Sequence, residues 1–134
     1  MKNSSFKLTV MIGAAPKDVF AALTDSKQIV QWSGQKGKVA SKAGGKFEMF
    51  DGWVTGTVVE FKPGKSLAYS WLPGDWLEGA EESLVRYTFS PVKSGTKVVL
   101  EHSNFPNESQ KKSHKSGWKD FVFDPIKAHF SNRR

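Results

Sequence analysis

The chain has 134 residues, close to the usual size of one domain and long enough to bury a substantial core. Its 38% hydrophobic and 25% charged residues exclude a disordered polar tail and a membrane-embedded chain. Cysteine is absent, which excludes disulfides, thiol nucleophiles and thiolate metal sites.

The charge balance is basic, with 20 Lys and Arg against 13 Asp and Glu and a net charge of +7. A basic chain can bind nucleic acid or an anionic membrane. The lysines are nevertheless spread along the chain without an arginine-rich helix, and we interpret them as a solvated surface with no specific nucleic-acid partner. An acidic stretch interrupts them at Asp75, Glu78, Glu81 and Glu82.

No segment has the pattern of a targeting or membrane sequence. Lys7 and Thr9 interrupt the apolar run that a signal peptide would need. No stretch approaches the ~20 apolar residues of a membrane span. We therefore expect a cytoplasmic protein.

The N-terminal part predicts a strand followed by two short helices. Residues 6–12 alternate between apolar and polar, which is the period of a half-buried strand. Pro16 suits the first turn of a helix. Thr24 or Asp25 can cap a second short helix that ends near Trp32.

From about Lys36 onward the sequence predicts about six strands joined by short turns. Turns are indicated at residues 62–65, 72–75 and 94–95, and Gly56 is a candidate bulge. Short connections predict an antiparallel meander. The apolar rows of the predicted strands are Phe47 and Met49; Trp53 to Phe61; Leu67, Tyr69 and Trp71; Val85, Tyr87 and Phe89; and Thr96, Val98, Leu100 and His102.

After Pro106 the apolar residues recur at intervals of three and four residues, which predicts a long amphipathic helix over residues 109–131. Pro125 is expected to kink this helix because proline removes a backbone hydrogen bond. The strands do not alternate with helices, so the fold class is α+β, with a curved antiparallel sheet around the helix. The side chains expected to pack on the sheet are Trp118, Phe121, Val122 and Ile126.

Short motifs over nearly the whole chain follow the order of a known superfamily. They are residues 15–25, Trp32-Ser33, residues 44–47, 52–63, 67–71 and 85–89, Gly95-Thr96, residues 101–103 and Gly117-Trp118. Together they resemble the START-like, birch-pollen-allergen-like superfamily (SRPBCC), and within it the homologues of the activator of the heat-shock protein ninety ATPase.

The resemblance implies a single START-like domain over residues 1–134, with a helix-grip fold and a pocket under the terminal helix. Members of the superfamily bind lipids, sterols, polyketides or other apolar ligands, and some are cyclases or hydrolases. The eukaryotic activators stimulate the chaperone ATPase and carry an additional N-terminal domain, for which we expect no room in this chain.

Histidine is the main candidate for chemistry. His102 ends a predicted strand and could act as a general base, since histidine titrates near neutral pH. No Ser or Asp at a recognisable spacing completes a triad with it, so a hydrogen-bonded core or pocket histidine is favoured. With three His and no Cys, we expect no catalytic residue, no metal and no cofactor.

Aromatic residues make up 13% of the chain, and such rings either fill a core or line a cavity. Trp76 lies in the acidic stretch and is expected to be exposed. The candidate ligand-binding residues are Trp32, Phe47, Met49, Trp53, Tyr69, Trp71, Tyr87, His102, Trp118, Phe121 and Val122.

Three functional hypotheses follow. The first is a non-enzymatic domain that binds or carries a small apolar molecule between sheet and helix. The alternative is a chaperone-associated protein-interaction domain, which would need salt-sensitive binding through surface lysines. The third is a cyclase- or hydrolase-like enzyme with a polar cluster around His102. The sequence leaves the oligomeric state open.

Overall fold

The computed structural model describes residues 5–76 and 81–131; Glu78 of the acidic stretch lies outside them. The strands are β1 (Ser5–Ile12), β2 (Lys38–Val39), β3 (Lys46–Met49), β4 (Val54–Lys62), β5 (Ser66–Pro73), β6 (Ser83–Val92) and β7 (Gly95–Ser103). The helical elements are α1 (Pro16–Thr24), α2 (Ser26–Ser33), α3 (Glu108–Gly117), a π-helical segment (Trp118–Phe123) and α4 (Asp124–Ser131).

The strands form one antiparallel sheet in the order β1-β7-β6-β5-β4-β3-β2. From β2 to β7 each strand lies beside its neighbour in the chain, as the short turns predict. Strand β1 joins the far edge by pairing with β7. With α1 and α2 after the first strand and a long C-terminal helix, this is the α+β helix-grip fold expected from the sequence.

The two short helices begin where the local sequence predicts, and the second ends near Trp32 as expected. Helix α1 starts at Pro16, and the Asp25 carboxylate caps α2 by accepting the backbone N–H of Lys27 at 3.1 Å. Gly34 ends α2 in the left-handed region, with φ of 75°, which glycine adopts without steric cost.

The bulge in β4 lies further along the strand than expected. The register against β5 shifts between Val58 and Glu60, so Val59 is the extra residue and the prediction of a bulge at Gly56 is wrong. Gly56 is required for another reason. A Cβ atom there would lie 1.9 Å from the backbone oxygen of Ser70, so any other side chain would push β4 and β5 apart.

The sheet face turned away from the helices carries a row of alternating charges. Lys7 lies opposite Glu101, which lies opposite Arg86 on the next strand. Arg86 forms an ion pair with Glu60, and the Lys62 ammonium lies 3.1 Å from the same carboxylate. Hydrogen bonding from Lys62 and Arg86 lowers the pKa of Glu60. Several of the basic residues are thus paired across a solvated face.

The terminal helical region runs over residues 108–131, as the sequence predicts, but it is not a regular α-helix. The π-helical segment has hydrogen bonds between residues five apart, where an α-helix has them between residues four apart. The Asp124 N–H, for example, donates to the Lys119 carbonyl. Pro125 follows directly and has no N–H to offer the Phe121 carbonyl four residues earlier. Where a kink is expected from Pro125, the structure has a change of hydrogen-bond pattern, a π turn immediately before Asp124-Pro125.

The π turn changes which side chains face the sheet. A π turn holds more residues than an α turn, so the third residue after Trp118 rotates away from the sheet. Phe121 is 66% exposed, and the prediction that it packs inward is wrong. The buried side chains of this region instead include Phe123, with Trp118, Val122 and Ile126 inward as predicted.

The described helices contain no stretch that is both long enough and apolar enough to cross a lipid bilayer.

Candidate functional site

A cleft of about 440 Å³ opens between the terminal helical region, strand β5 and the loops that follow α2, β3 and β5. Its wall includes five of the candidate residues chosen from the sequence: Trp53, Trp71, Trp118, Phe121 and Val122. Trp53 is 41% exposed and, with Phe121, stands at the solvent side of the cleft, whereas Trp71 and Trp118 form its buried floor.

The remaining candidates do not line the cleft; they are buried in the core behind it. These residues are Trp32, Phe47, Met49, Tyr69, Tyr87 and His102. Phe47 stacks on Tyr69 with ring centroids 3.7 Å apart, and the Tyr69 and Tyr87 hydroxyls lie 2.9 Å from each other. The indole N–H of Trp32 donates to the Ala22 carbonyl at 2.7 Å, which fixes that ring in the helical layer.

The polar side chains of the wall, and the ring of Phe50, are not among the candidates chosen from the sequence. The additional lining residues include Gln35, Phe50, Asp75, Gln110, Ser113 and His114. A signal was present for one of them, because His114, Trp118 and Val122 follow each other at intervals of four and so lie on one helix face. The others come from loops or from a helix with a strongly polar sequence, where periodicity carries no information about a cleft.

His102 occupies the centre of a buried hydrogen-bond chain. An indole N–H can only donate, so the Trp118 Nε1–H at 3.0 Å requires His102 Nδ1 to be an acceptor. The proton of the neutral imidazole is then on Nε2, which donates to Ser83 Oγ at 2.8 Å. Ser83 Oγ–H in turn donates to the Trp71 carbonyl at 2.7 Å. Both nitrogens are occupied, so this geometry supports a structural histidine rather than a general base.

His114 has the opposite tautomer and joins the helix to the sheet. The Trp71 Nε1–H donates to His114 Nε2 at 3.1 Å, so the proton is on Nδ1, which donates to the Gln110 carbonyl at 3.0 Å. The indole N–H of Trp76 donates to Gln110 Oε1 at 3.0 Å. Trp76 is therefore half-buried, not exposed as expected, because its polar atom has a partner on α3.

The surroundings of both histidines favour the neutral imidazole. Burial lowers the pKa of His102 well below its usual 6.5, and repulsion from His114 lowers it further. Burial also lowers the pKa of His114, against opposing effects from the Gln110 carbonyl and from Asp75. A proton on either acceptor nitrogen would face an indole N–H and break the network.

These lowered pKa values predict acid sensitivity. As the pH falls through the usual histidine pKa of 6.5, the unfolded chain binds more protons at these two side chains than the folded chain does, so the free energy of unfolding decreases. We expect the free energy of unfolding to decrease by up to about 1.4 kcal/mol for each pH unit and each histidine. Urea unfolding from about pH 7.5 to pH 5.5 would measure this decrease. His102→Gln keeps one donor and one acceptor but cannot titrate, and should flatten this slope. Equal slopes for both proteins would contradict the prediction.

Within the described residues, no group of three or more His, Asp or Glu side chains is placed to hold a metal ion. The cleft wall carries one charged side chain, Asp75, among those that the structure describes. The arrangement is therefore suited to binding through aromatic surface and a few polar groups.

Comparisons with known proteins place this fold in a family. Residues 13–131 match the family model described as activator of Hsp90 ATPase homolog 1-like protein. The activator of 90 kDa heat shock protein ATPase homolog 1 of Mus musculus is 26% identical over 116 residues, or 87% of this chain. An Hsp90 activator from Plasmodium falciparum, of known structure, is 29% identical, with a TM-score of 0.84 over 95% of this chain and 96% of that chain.

A protein from Mesorhizobium loti of known structure shares the fold, with 23% identity and a TM-score of 0.85 over 98% of this chain and 99% of that chain. The chain spans about a third of the length of the curated relatives, 34% for the mouse protein. The family model nevertheless covers the described domain from the residue after β1 to the end of α4. The chain therefore belongs to the activator of Hsp90 ATPase homolog 1-like family.

Proposed function

We propose that this domain binds a chaperone of the 90 kDa heat shock protein class and raises its ATPase rate. The observation that carries the proposal is the similarity to the Plasmodium falciparum Hsp90 activator, which extends over 96% of that solved chain. A relative matched over nearly all of its solved chain supports an activator role for a single domain of this size. The family model, which spans residues 13–131, supports the same conclusion.

The exposed face of α3 is the contact surface that we propose. Lys112 and Lys115 lie three residues apart on this face and are exposed, and neither forms an ion pair with any residue that the structure describes. The Lys119 ammonium, one turn further along the helical region, donates a hydrogen bond to the Asp124 carboxylate at 2.9 Å. Ammonium groups without an ion-pair partner among the described residues favour an acidic partner surface, and salt would weaken the contact.

The test is the steady-state ATPase rate of a purified 90 kDa heat shock protein with and without this domain. We expect stimulation that decreases as salt is added, and the double variant Lys112→Glu/Lys115→Glu should need about tenfold more protein for the same stimulation. Lys38→Glu/Lys42→Glu makes the same charge change beside the far edge of the sheet and serves as the matched control. No stimulation by the unmodified domain at low salt would refute the proposal. Equal losses in both double variants would refute the α3 contact.

A second candidate function is the binding of a small apolar molecule in the cleft. The cleft has a volume of about 440 Å³, which lies within the range of roughly 300–1,000 Å³ that is typical of small-molecule sites. Trp53, Trp71, Trp118, Phe121 and Val122 would contact the molecule, and the buried aromatic core would hold that wall in place. Native mass spectrometry of the purified protein, which would show a co-purified molecule as added mass, tests this candidate.

A further inference from the structure

We infer that the cleft selects a flat aromatic molecule that carries an ammonium group, and that it disfavours carboxylic acids of the same shape. The inference rests on the second candidate function, ligand binding in the cleft, and names the chemical class of the ligand. It depends on two features of the wall, its aromatic surfaces and its charge.

The aromatic side chains of the wall are steeply inclined to one another. Phe50 and Trp53 have ring centroids 6.3 Å apart at an interplanar angle of 64°, and Trp53 and Trp71 have centroids 6.5 Å apart at 81°. Phe121 and Trp53 remain exposed at the solvent side. A ring face carries negative electrostatic potential and attracts cations, most strongly in tryptophan. Steeply inclined rings around one space can therefore contact both the flat body and the cationic group of a ligand.

The charge of the wall has the opposite sign to that of the protein. The net charge is +7, yet no Lys or Arg of the described residues lines the cleft. The Asp75 carboxylate does line it, is exposed, and has no ion-pair partner in the part of the chain that the structure describes. His114 adds no positive charge, because both of its nitrogens are engaged in the neutral network. The Asp75 carboxylate would thus repel a carboxylate ligand, and it would offer an ammonium group a counterion that has no ion pair with any other described residue.

Three probes with one ring system and different charges test this inference: naphthylmethylammonium, naphthylmethanol and naphthoate. Binding is followed by proton–nitrogen correlation spectra of the tryptophan indole N–H groups. Trp71 and Trp118 at the floor of the cleft should shift on binding. Trp32 is the internal control, since its indole is bonded to Ala22 in the helical layer and does not line the cleft.

At low salt we expect naphthylmethylammonium to bind about tenfold more tightly than naphthoate, with naphthylmethanol between them. Asp75→Asn should weaken binding of the ammonium probe about three- to fivefold and leave naphthylmethanol unchanged. Asp18→Asn removes the same charge from the exposed first turn of α1 and should change neither probe. Phe121→Ala should weaken all three probes, because it removes an exposed part of the aromatic wall.

The outcomes separate this inference from the function on which it rests. If naphthylmethanol binds at the cleft but naphthoate binds as tightly as the ammonium probe, the charge preference is wrong and the cleft remains a ligand site. If no probe moves the Trp71 and Trp118 signals, both the inference and the ligand-binding function are refuted.

Discussion

A chain that ends at Pro106 is expected to lose cooperative thermal unfolding. The deletion removes the buried side chains of the terminal helical region and uncovers the sheet face on which they pack. Trp118 contacts Trp71 with ring centroids 5.0 Å apart and Tyr87 with centroids 5.9 Å apart. Four large apolar side chains are lost, Trp118, Val122, Phe123 and Ile126. Burial of each such side chain contributes about 1.5–3 kcal/mol. The four contributions together are comparable to the whole free energy of unfolding of a typical domain, roughly 5–15 kcal/mol.

Differential scanning calorimetry and near-ultraviolet circular dichroism would measure this effect. The matched control is Phe121→Ala in the full chain, which changes a large aromatic residue of the same region at an exposed position. The control should unfold cooperatively, with a free energy of unfolding within about 0.5 kcal/mol of the unmodified protein. A truncated chain with a sharp transition would show that the sheet is stable without the helix.

Tyr87→Ala is expected to destabilise the domain by roughly 3–5 kcal/mol. Tyr87 is 0% exposed and lies behind the cleft, so its removal leaves a closed cavity in the core. It also leaves the Tyr69 hydroxyl, 2.9 Å from the Tyr87 hydroxyl, without its buried partner. Burial raises the pKa of both phenols above 10, so the lost contact is a hydrogen bond between neutral groups.

Tyr87→Phe separates the two contributions, because it keeps the ring and removes only the hydroxyl. We expect it to cost about 1–2 kcal/mol, measured by urea unfolding beside the alanine variant. A loss below about 1 kcal/mol for Tyr87→Ala, together with altered binding of the naphthyl probes, would mean that the ring borders an open cavity instead of filling the core.

The elements could be predicted because each has a local physical cause. Pro16 and Asp25 mark helix starts through backbone geometry and capping, and the strand rows alternate with period two because one face of the sheet is buried. The role of Gly56, by contrast, could not be predicted from its neighbours in the sequence. Gly56 permits a close approach of β5, a contact between two strands that sequence patterning cannot distinguish from a bulge.

The site was only half predictable. The apolar wall residues Trp71 and Trp118 follow from their inward positions in periodic elements. Asp75, Gln35 and Phe50 come from loops that meet only because the sheet curves around the helix, so no spacing in the sequence relates them. The partners of His102 are equally remote in sequence, since Ser83 is 19 residues away and Trp118 is 16 residues away.

By itself the sequence determined the α+β class, the order of the elements and the inward face of the strands, because alternation, capping and turn chemistry act over a few residues. Only the tertiary structure decided which aromatic rings fill the core and which line the cleft. The π turn ahead of Pro125 shows the reason: it turns Phe121 out to solvent and Phe123 inward, although both belong to the same apolar segment. An α-helical period misassigns such residues, because the rotation depends on the local hydrogen-bond pattern of the backbone.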